Sequence, residues 1–202
     1  MGAWSSCRTS KTARRAGSST GSARPSALPA ADIRTLETER LLLRPLTIAD
    51  LGPLHEVYGD RDVMRYIGSG DVYSRTVDES EERLLRLIDH QERHGFSLWA
   101  VTDRETGSLL GDAGLILYAH EGPEVELGFR LGKPHWGRGF ATEAAAAWLE
   151  HGFRELGLDR IVAVTHPENV ASQRVLEKTG MRFSGITQYE GAPARLYVAE
   201  RL

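Results

Sequence analysis

The sequence predicts an α/β fold, a mixed sheet with helices on both faces, and three observations carry that expectation. Strand-like segments cluster before residue 131, a strand-helix-strand-helix order follows them, and the halves meet at a glycine-punctuated loop leading into an alanine-rich helix. No apolar run approaches the roughly 18 residues of a membrane span. The 202 residues, 41% of them hydrophobic, read as one domain with a sizeable core.

Arg40 to Arg44 reads as the first strand, stopped by Pro45. Thr47-x-x-Asp50 has the form of a capping box opening a short helix through Tyr58. A second box, Thr76-Val-Asp-Glu79, opens a longer helix that ends near Gly95 and carries Leu84, Leu85, Leu87 and Ile88 on its apolar face. Ser97 to Asp103 and Ser108 to Tyr118 are strand-like, joined by a hairpin turn at Glu105-Thr-Gly107. The alternating strand Val125 to Leu131 follows. Beyond the loop come a helix from about Phe140 to Leu156, a β-branched strand Arg160 to Thr165, a helix from about Asn169 to Thr179, and strands at Met181 to Ile186 and Arg195 to Glu200.

Residues 1–31 differ in character, being rich in Ser, Ala, Gly and Arg with five basic side chains and no acid. Such a segment buries too little apolar surface to fold, so the expected division is a disordered tail at 1–31 and a folded unit at 32–202. The tail also suits an organelle transit peptide, a loose extension or an over-extended start. Removing its five basic residues from the chain's 25 leaves 20 against 28 acids, a net charge near −8 with histidine neutral. That balance disfavours nucleic acid and leans toward a cationic acceptor, although net charge sets encounter rate more than identity. The single Cys7 excludes an intrachain disulfide and fits a reducing, cytoplasmic setting. Nothing in its polar segment would hold it against a base as a nucleophile.

The loop reads as an anion cradle. Gly137 and Gly139 let the backbone approach a ligand, and the first N–H groups of the next helix point at the same spot with the positive end of its dipole. Arg138 adds a charged fork and Thr142 a hydroxyl. An ordinary strand-to-helix turn is the other use of these glycines. Neither GxxxxGK[ST] nor GxGxxG is present, which removes a P-loop and a dinucleotide fold from consideration.

Trp136-x-x-Gly139-x-Ala141 resembles the pyrophosphate loop of the GNAT N-acetyltransferases, Gln/Arg-x-x-Gly-x-Gly/Ala, and departs from it at Trp136. Members of the branch similar to RimJ and RimL often carry an aromatic-Gly-x-Gly run there. Thr38-Glu-Arg-Leu-Leu-Leu-Arg-Pro-Leu resembles that branch's opening strand, and the segment from His166 to Met181 its later strand-to-helix stretch, so the resemblance spans about residues 36 to 200. It implies a fold whose central strands splay apart to admit the pantetheine arm of acetyl-coenzyme A. Trp136, Gly137, Arg138, Gly139, Phe140, Ala141 and Thr142 are then expected to hold the pyrophosphate, largely through backbone N–H groups. Asn169 and Ser172, one of which also caps a helix, are expected along the same cofactor.

Glu126 stands on the strand face opposite Val125, Leu127, Phe129 and Leu131. The resemblance implies a catalytic role for it, activating the amine through water, while an ordinary cross-strand glutamate is the plainer reading. Deprotonating a lysine-like amine at pH 7 costs about 4 to 5 kcal/mol, but an α-amine only about 1 kcal/mol, so a weakly perturbed carboxylate suffices for the latter. Where relatives carry a tyrosine acid seven residues after the asparagine, this chain has Leu176, which leaves Ser172 or water to protonate the departing thiolate. His166 falls near the expected acyl site but also suits a turn before Pro167. His120, His135 and His151 show no ligand spacing, and no metal is expected. Trp99, Trp136 and Trp148 suit core packing or an acceptor pocket, and Tyr66 and Tyr73 fall in the segment that resembles the family's acceptor loop.

The expected reaction is acetyl transfer from acetyl-coenzyme A to a primary amine, by branch resemblance a protein N-terminal α-amine, with small amines as the other acceptors. A noncatalytic acyl-coenzyme A sensor is the alternative. Neither nucleic acid nor membrane is expected as a partner, and homodimerisation is left open.

Overall fold

The computed structural model describes residues 35–67, 72–118, 122–189 and 191–201. The basic tail with Cys7, and His120, lie outside the described residues. In chain order the elements are β1 (Leu36–Glu37), β2 (Leu41–Arg44), α1 (Leu51–Gly59), α2 (Arg61–Met64), α3 (Val77–His94), β3 (Leu98–Asp103), β4 (Leu109–Leu117), β5 (Val125–Leu131), α4 (Phe140–Arg154), β6 (Arg160–Thr165), α5 (Val170–Lys178), β7 (Arg182–Tyr189) and β8 (Ala192–Glu200). They build one mixed sheet in the order β1-β2-β3-β4-β5-β6-β8-β7, antiparallel throughout except between β5 and β6.

Each face of the sheet has its own core. On one side Leu41, Leu43, Trp99, Leu115 and Ile161 pack with Trp148 of α4 and Leu176 of α5. On the other, Ala100 packs with Leu54 and Tyr58 of α1, Met64 of α2 and Leu84 of α3. The strand pleat sorts them, since Trp99 and Val101 enter the first core and Ala100 between them enters the second.

Local chemistry sets the boundaries. Thr76 Oγ1 accepts the Glu79 N–H at 3.2 Å to start α3, and Gly95, at φ 77°, ends it by donating its N–H to the Gln91 carbonyl at 2.9 Å. The expected apolar face of α3 needs one correction. Leu84 is buried and Leu87 and Ile88 half-buried, but Leu85, one step of about 100° further round the helix, is 49% exposed. At the other capping box the Asp50 carboxylate takes the Thr47 N–H at 2.8 Å and both Arg44 Nη atoms at 2.8 and 2.6 Å. The chain turns there first as a 3-10 segment, Ile48–Asp50, before α1 begins.

One departure from regular pairing positions the site. The seven residues of β5 and six of β6 meet at a single register pair, Glu126 with Val162. Beyond it the strands diverge, and the outer part of β5 has sheet partners only on its β4 side.

Candidate active site

The loop after β5 turns on two glycines and leads directly into α4. Gly137 and Gly139 have φ of 71° and 84°, a region that L side chains rarely occupy. Gly139 serves as N-cap of α4 without a capping side chain, whereas Asp60, Thr76 and Asn169 cap α2, α3 and α5 through theirs. The first bond within α4 runs from the Glu143 N–H to the Gly139 carbonyl at 3.0 Å. The N–H groups of Phe140, Ala141 and Thr142 therefore have no partner inside the helix and mark its positive end.

A latch from the turn between β1 and β2 fixes this helix end. One Glu143 oxygen accepts the Thr38 hydroxyl at 2.6 Å and the Arg40 N–H at 2.8 Å, and the other accepts Arg40 Nε at 2.7 Å. Arg40 Nη1 also donates to the Arg138 carbonyl at 3.0 Å, while its guanidinium lies 4.6 Å from the Phe140 ring centre. The opening Thr38-Glu-Arg40 motif thus holds the glycine loop and the first turn of α4 together.

A cavity of about 610 Å³ runs from this loop into the gap between β5 and β6, lined by Trp136, Gly137, Gly139, Phe140, Ala141 and Thr142 at one end and Glu126 at the other. Asn169, Ser172 and Leu176 line its α5 side. Asn169 Oδ1 accepts the Ser172 N–H at 3.1 Å, so capping and cavity lining coexist. Arg138 behaves differently from the other loop residues. Its exposed guanidinium lies 4.7 Å from the Phe140 ring centre, and Arg138 does not line the cavity in this conformation.

A second cavity, about 380 Å³, lies on the α1–α3 side of the gap and shares Glu126, Gly128, Arg130 and Val164 with the first. Glu126 is only 6% exposed and accepts the Tyr189 hydroxyl at 3.0 Å. Four residues on, Arg130 is held by fully buried Asp112 through two bonds of 2.9 and 2.7 Å. Asp112 also accepts the Tyr58 hydroxyl at 2.5 Å. Burial would lower the Arg130 pKa, but the Asp112 charge and the Tyr58 oxygen raise it well above the ordinary value, and the guanidinium stays charged.

The remaining candidates separate cleanly. Trp99 and Trp148 pack edge-to-face in the core at 4.8 Å, and Trp136, 49% exposed, donates its indole N–H to the Leu131 carbonyl at 2.6 Å; none lines the smaller cavity. His166 accepts the Glu168 N–H on Nδ1 at 3.1 Å, as a turn residue does, and stacks on Tyr66 at 5.1 Å at the edge of the same cavity. His135 lines the larger cavity, and burial, then the charge of Arg138, hold its pKa below the ordinary value. His151 packs against Trp148.

Residues 40–182 match the family described as Acetyltransferase (GNAT) domain. The chain belongs to the GNAT acetyltransferase family. Within it, the chain is 32% identical over 167 residues to the N-acetyltransferase p20 of Bacillus licheniformis, covering 81% of this chain and 92% of that one. A GNAT acetyltransferase structure from Bacillus anthracis superposes with a TM-score of 0.69 at 28% identity, covering 83% of this chain and 98% of the other. RimL, a ribosomal-protein α-N-acetyltransferase solved with coenzyme A, shares the fold at a TM-score of 0.66 and 17% identity over 83% of this chain and 98% of its own.

Three parts of this GNAT site escape sequence reasoning. Tyr189 reaches Glu126 from 63 positions away, at the end of β7. Tyr58, Asp112 and Arg130 form one buried polar group only once α1, β4 and β5 are stacked. Arg83 enters the smaller cavity from the middle of α3, where a charged residue in a polar helix looks like solvated surface. The one available signal was in β5, where Arg130 shares strand parity with Glu126.

Proposed function

We propose that this enzyme transfers the acetyl group of acetyl-coenzyme A to a primary amine, the α-amine of a protein N-terminus in the first instance. The observation that carries the reading is the continuous cavity from the uncapped end of α4 to Glu126 in the β5–β6 gap. The free amides at one end suit a diphosphate, and the carboxylate at the other suits an amine. Pyrophosphate contacts fall to the backbone from Gly137 to Thr142, with Trp136 beside them and Asn169 and Ser172 along the pantetheine arm. The fold shared with a coenzyme A-bound acetyltransferase supports this assignment.

In the step itself, Glu126 takes a proton from the amine, directly or through water, and the amine nitrogen attacks the thioester carbonyl. A C–N bond forms, the C–S bond breaks, and an unpaired N–H of diverging β5 steadies the oxyanion. The coenzyme A thiolate leaves and takes a proton from the Ser172 hydroxyl or from water, and that donor is made good by the proton the acylated nitrogen still has to lose. The catalytic unit proposed is residues 32–202, acting in the cytoplasm. No helix among the described residues is long and apolar enough to cross a membrane.

Calorimetric titration with coenzyme A tests the cradle. Gly139→Glu, with folding checked by circular dichroism, is expected to abolish binding, and undiminished binding would remove the loop from the reading. Thiol release from acetyl-coenzyme A with N-terminal peptides and small amines tests transfer. Glu126→Gln is expected to lose most activity below the amine's pKa and to recover as pH rises. An unchanged pH profile would return Glu126 to a structural role, and binding without release for any amine would favour a sensor.

A further inference from the structure

We infer that the amine accepted by this enzyme also carries an anionic group, a carboxylate, which Arg83 receives. The inference rests on the acetyltransferase reading of the site and names the acceptor class.

The smaller cavity lies beyond Glu126 from the cradle, where an acceptor amine would approach. Among the described residues its walls carry three guanidinium groups, Arg83 and Arg86 from α3 and Arg130 from β5, against one carboxylate, that of Glu126. Arg130 is already matched by Asp112. Arg83 is not. Its Nη2 donates to the Val72 carbonyl at 2.7 Å, and its Nε is buried without a hydrogen-bond partner. Among the described residues no carboxylate lies within ion-pair distance of it. Its one close ring contact, Tyr58 at 5.3 Å, does nothing for the Nε–H.

A withdrawn guanidinium with an idle Nε–H is a costly arrangement unless something completes it. Its planar fork fits a carboxylate, and the charge of Arg130 nearby adds to the local positive field. The cavity is thus bipolar, with an amine-attracting carboxylate at the gap and an anion-attracting wall on α3. A polyamine meets the wrong charge at Arg83 and Arg86, so the same wall acts against it. The volume, about 380 Å³, is at the lower end for small-ligand sites. It admits an amino acid or the first residue or two of a peptide, and each of these sources supplies a carboxylate.

Matched acceptors test this on the purified enzyme by thiol release from saturating acetyl-coenzyme A. L-alanine against L-alaninamide asks about a free amino acid, Asp-Ala-Ala-Ala amide against Asn-Ala-Ala-Ala amide asks about a peptide, and spermidine supplies the cationic comparison. In one pair the anionic member is expected to exceed its neutral partner in kcat/KM by about ten- to a hundred-fold, the range of a hydrogen bond to a charged group. The pair that responds names the source. Arg83→Met is expected to collapse that ratio toward one, and Arg83→Lys to retain part of it. Equal rates within both pairs, a preference for spermidine, or a ratio unmoved by Arg83→Met would overturn the inference while leaving the acetyltransferase reading intact. Release with no acceptor would overturn both.

Discussion

The Tyr189 hydroxyl, at the end of β7, donates to Oε2 of Glu126 across 3.0 Å, so the β7–β8 hairpin reaches the carboxylate at the mouth of the β5–β6 gap. A hydrogen bond to a charged group contributes about 1.5 to 3 kcal/mol. Tyr189→Phe is expected to lower kcat/KM for the acceptor by about ten-fold or more. Because Tyr189 lines only the smaller cavity, KM for acetyl-coenzyme A should stay where it is. Steady-state kinetics with each substrate varied in turn decide the matter, and an equal effect on both KM values would mean that the hairpin shapes the whole gap rather than Glu126.

The Thr38–Arg40–Glu143 latch makes a prediction of opposite polarity. Glu143 gathers three hydrogen bonds at the first turn of α4, yet none of its partners touches the smaller cavity. Glu143→Gln keeps the side chain's size and removes its charge. With Arg40 45% exposed, solvent screening limits the loss of stability to about 1 kcal/mol. The larger expected effect is a several-fold rise in KM for acetyl-coenzyme A, because the loop's amides lose their fixed aim. A rise in the acceptor KM instead would detach the latch from the cofactor loop.

Elements defined by neighbouring residues were legible in the sequence, and elements defined by distant ones were not. Thr76 and Gly95 mark α3 because capping is settled within four residues, and Val125–Leu131 alternates because a pleat has period two. Leu85 misled because a run of leucines does not reveal which edge of a helix stripe meets the core. The lining of the smaller cavity was less legible still. The folded unit's net charge near −8 leans toward a cationic acceptor, while the smaller cavity collects Arg83 and Arg86 from α3 and Arg130, paired with Asp112, from β5. Net charge is a sum over the surface, whereas recognition depends on the few groups that a cavity collects.

The sheet tolerates no side chain at Gly114. A Cβ there would come within 2.0 Å of the Ser97 carbonyl oxygen, just before β3, and 2.8 Å of the Leu98 Cα at its start, both backbone atoms that cannot swing away. Gly114 is paired with Gly128 of β5, so displacement would pass directly to the strand carrying Glu126. Overpacking of this kind costs about 1 to 3 kcal/mol. Gly114→Ala is therefore expected to lower Tm by about 3 to 10 °C and to reduce kcat. A Tm within a degree of the parent would mean that β3 can retreat without cost.

Acid stability follows from Asp50 and Glu143. Burial favours the neutral form of each, but the hydrogen bonds and charge of Arg44 with Thr47 around Asp50, and of Thr38 and Arg40 around Glu143, outweigh it and hold both carboxyls below their ordinary range. In the unfolded chain they protonate near about 3.9 and 4.3. Between those values and the lower folded ones, the unfolded state binds more protons, so stability climbs with pH there. The contribution is complete above about pH 5 and fades as pH falls through about 4 toward the folded pKa values. Urea unfolding midpoints at pH 3, 4, 5 and 7 should place Asp50→Asn below the parent by about 1 to 3 kcal/mol at pH 7, with the difference narrowing toward pH 3. A difference of constant size across that range would mean that the Asp50 charge does not stabilise the fold and that the loss comes from altered packing around Thr47.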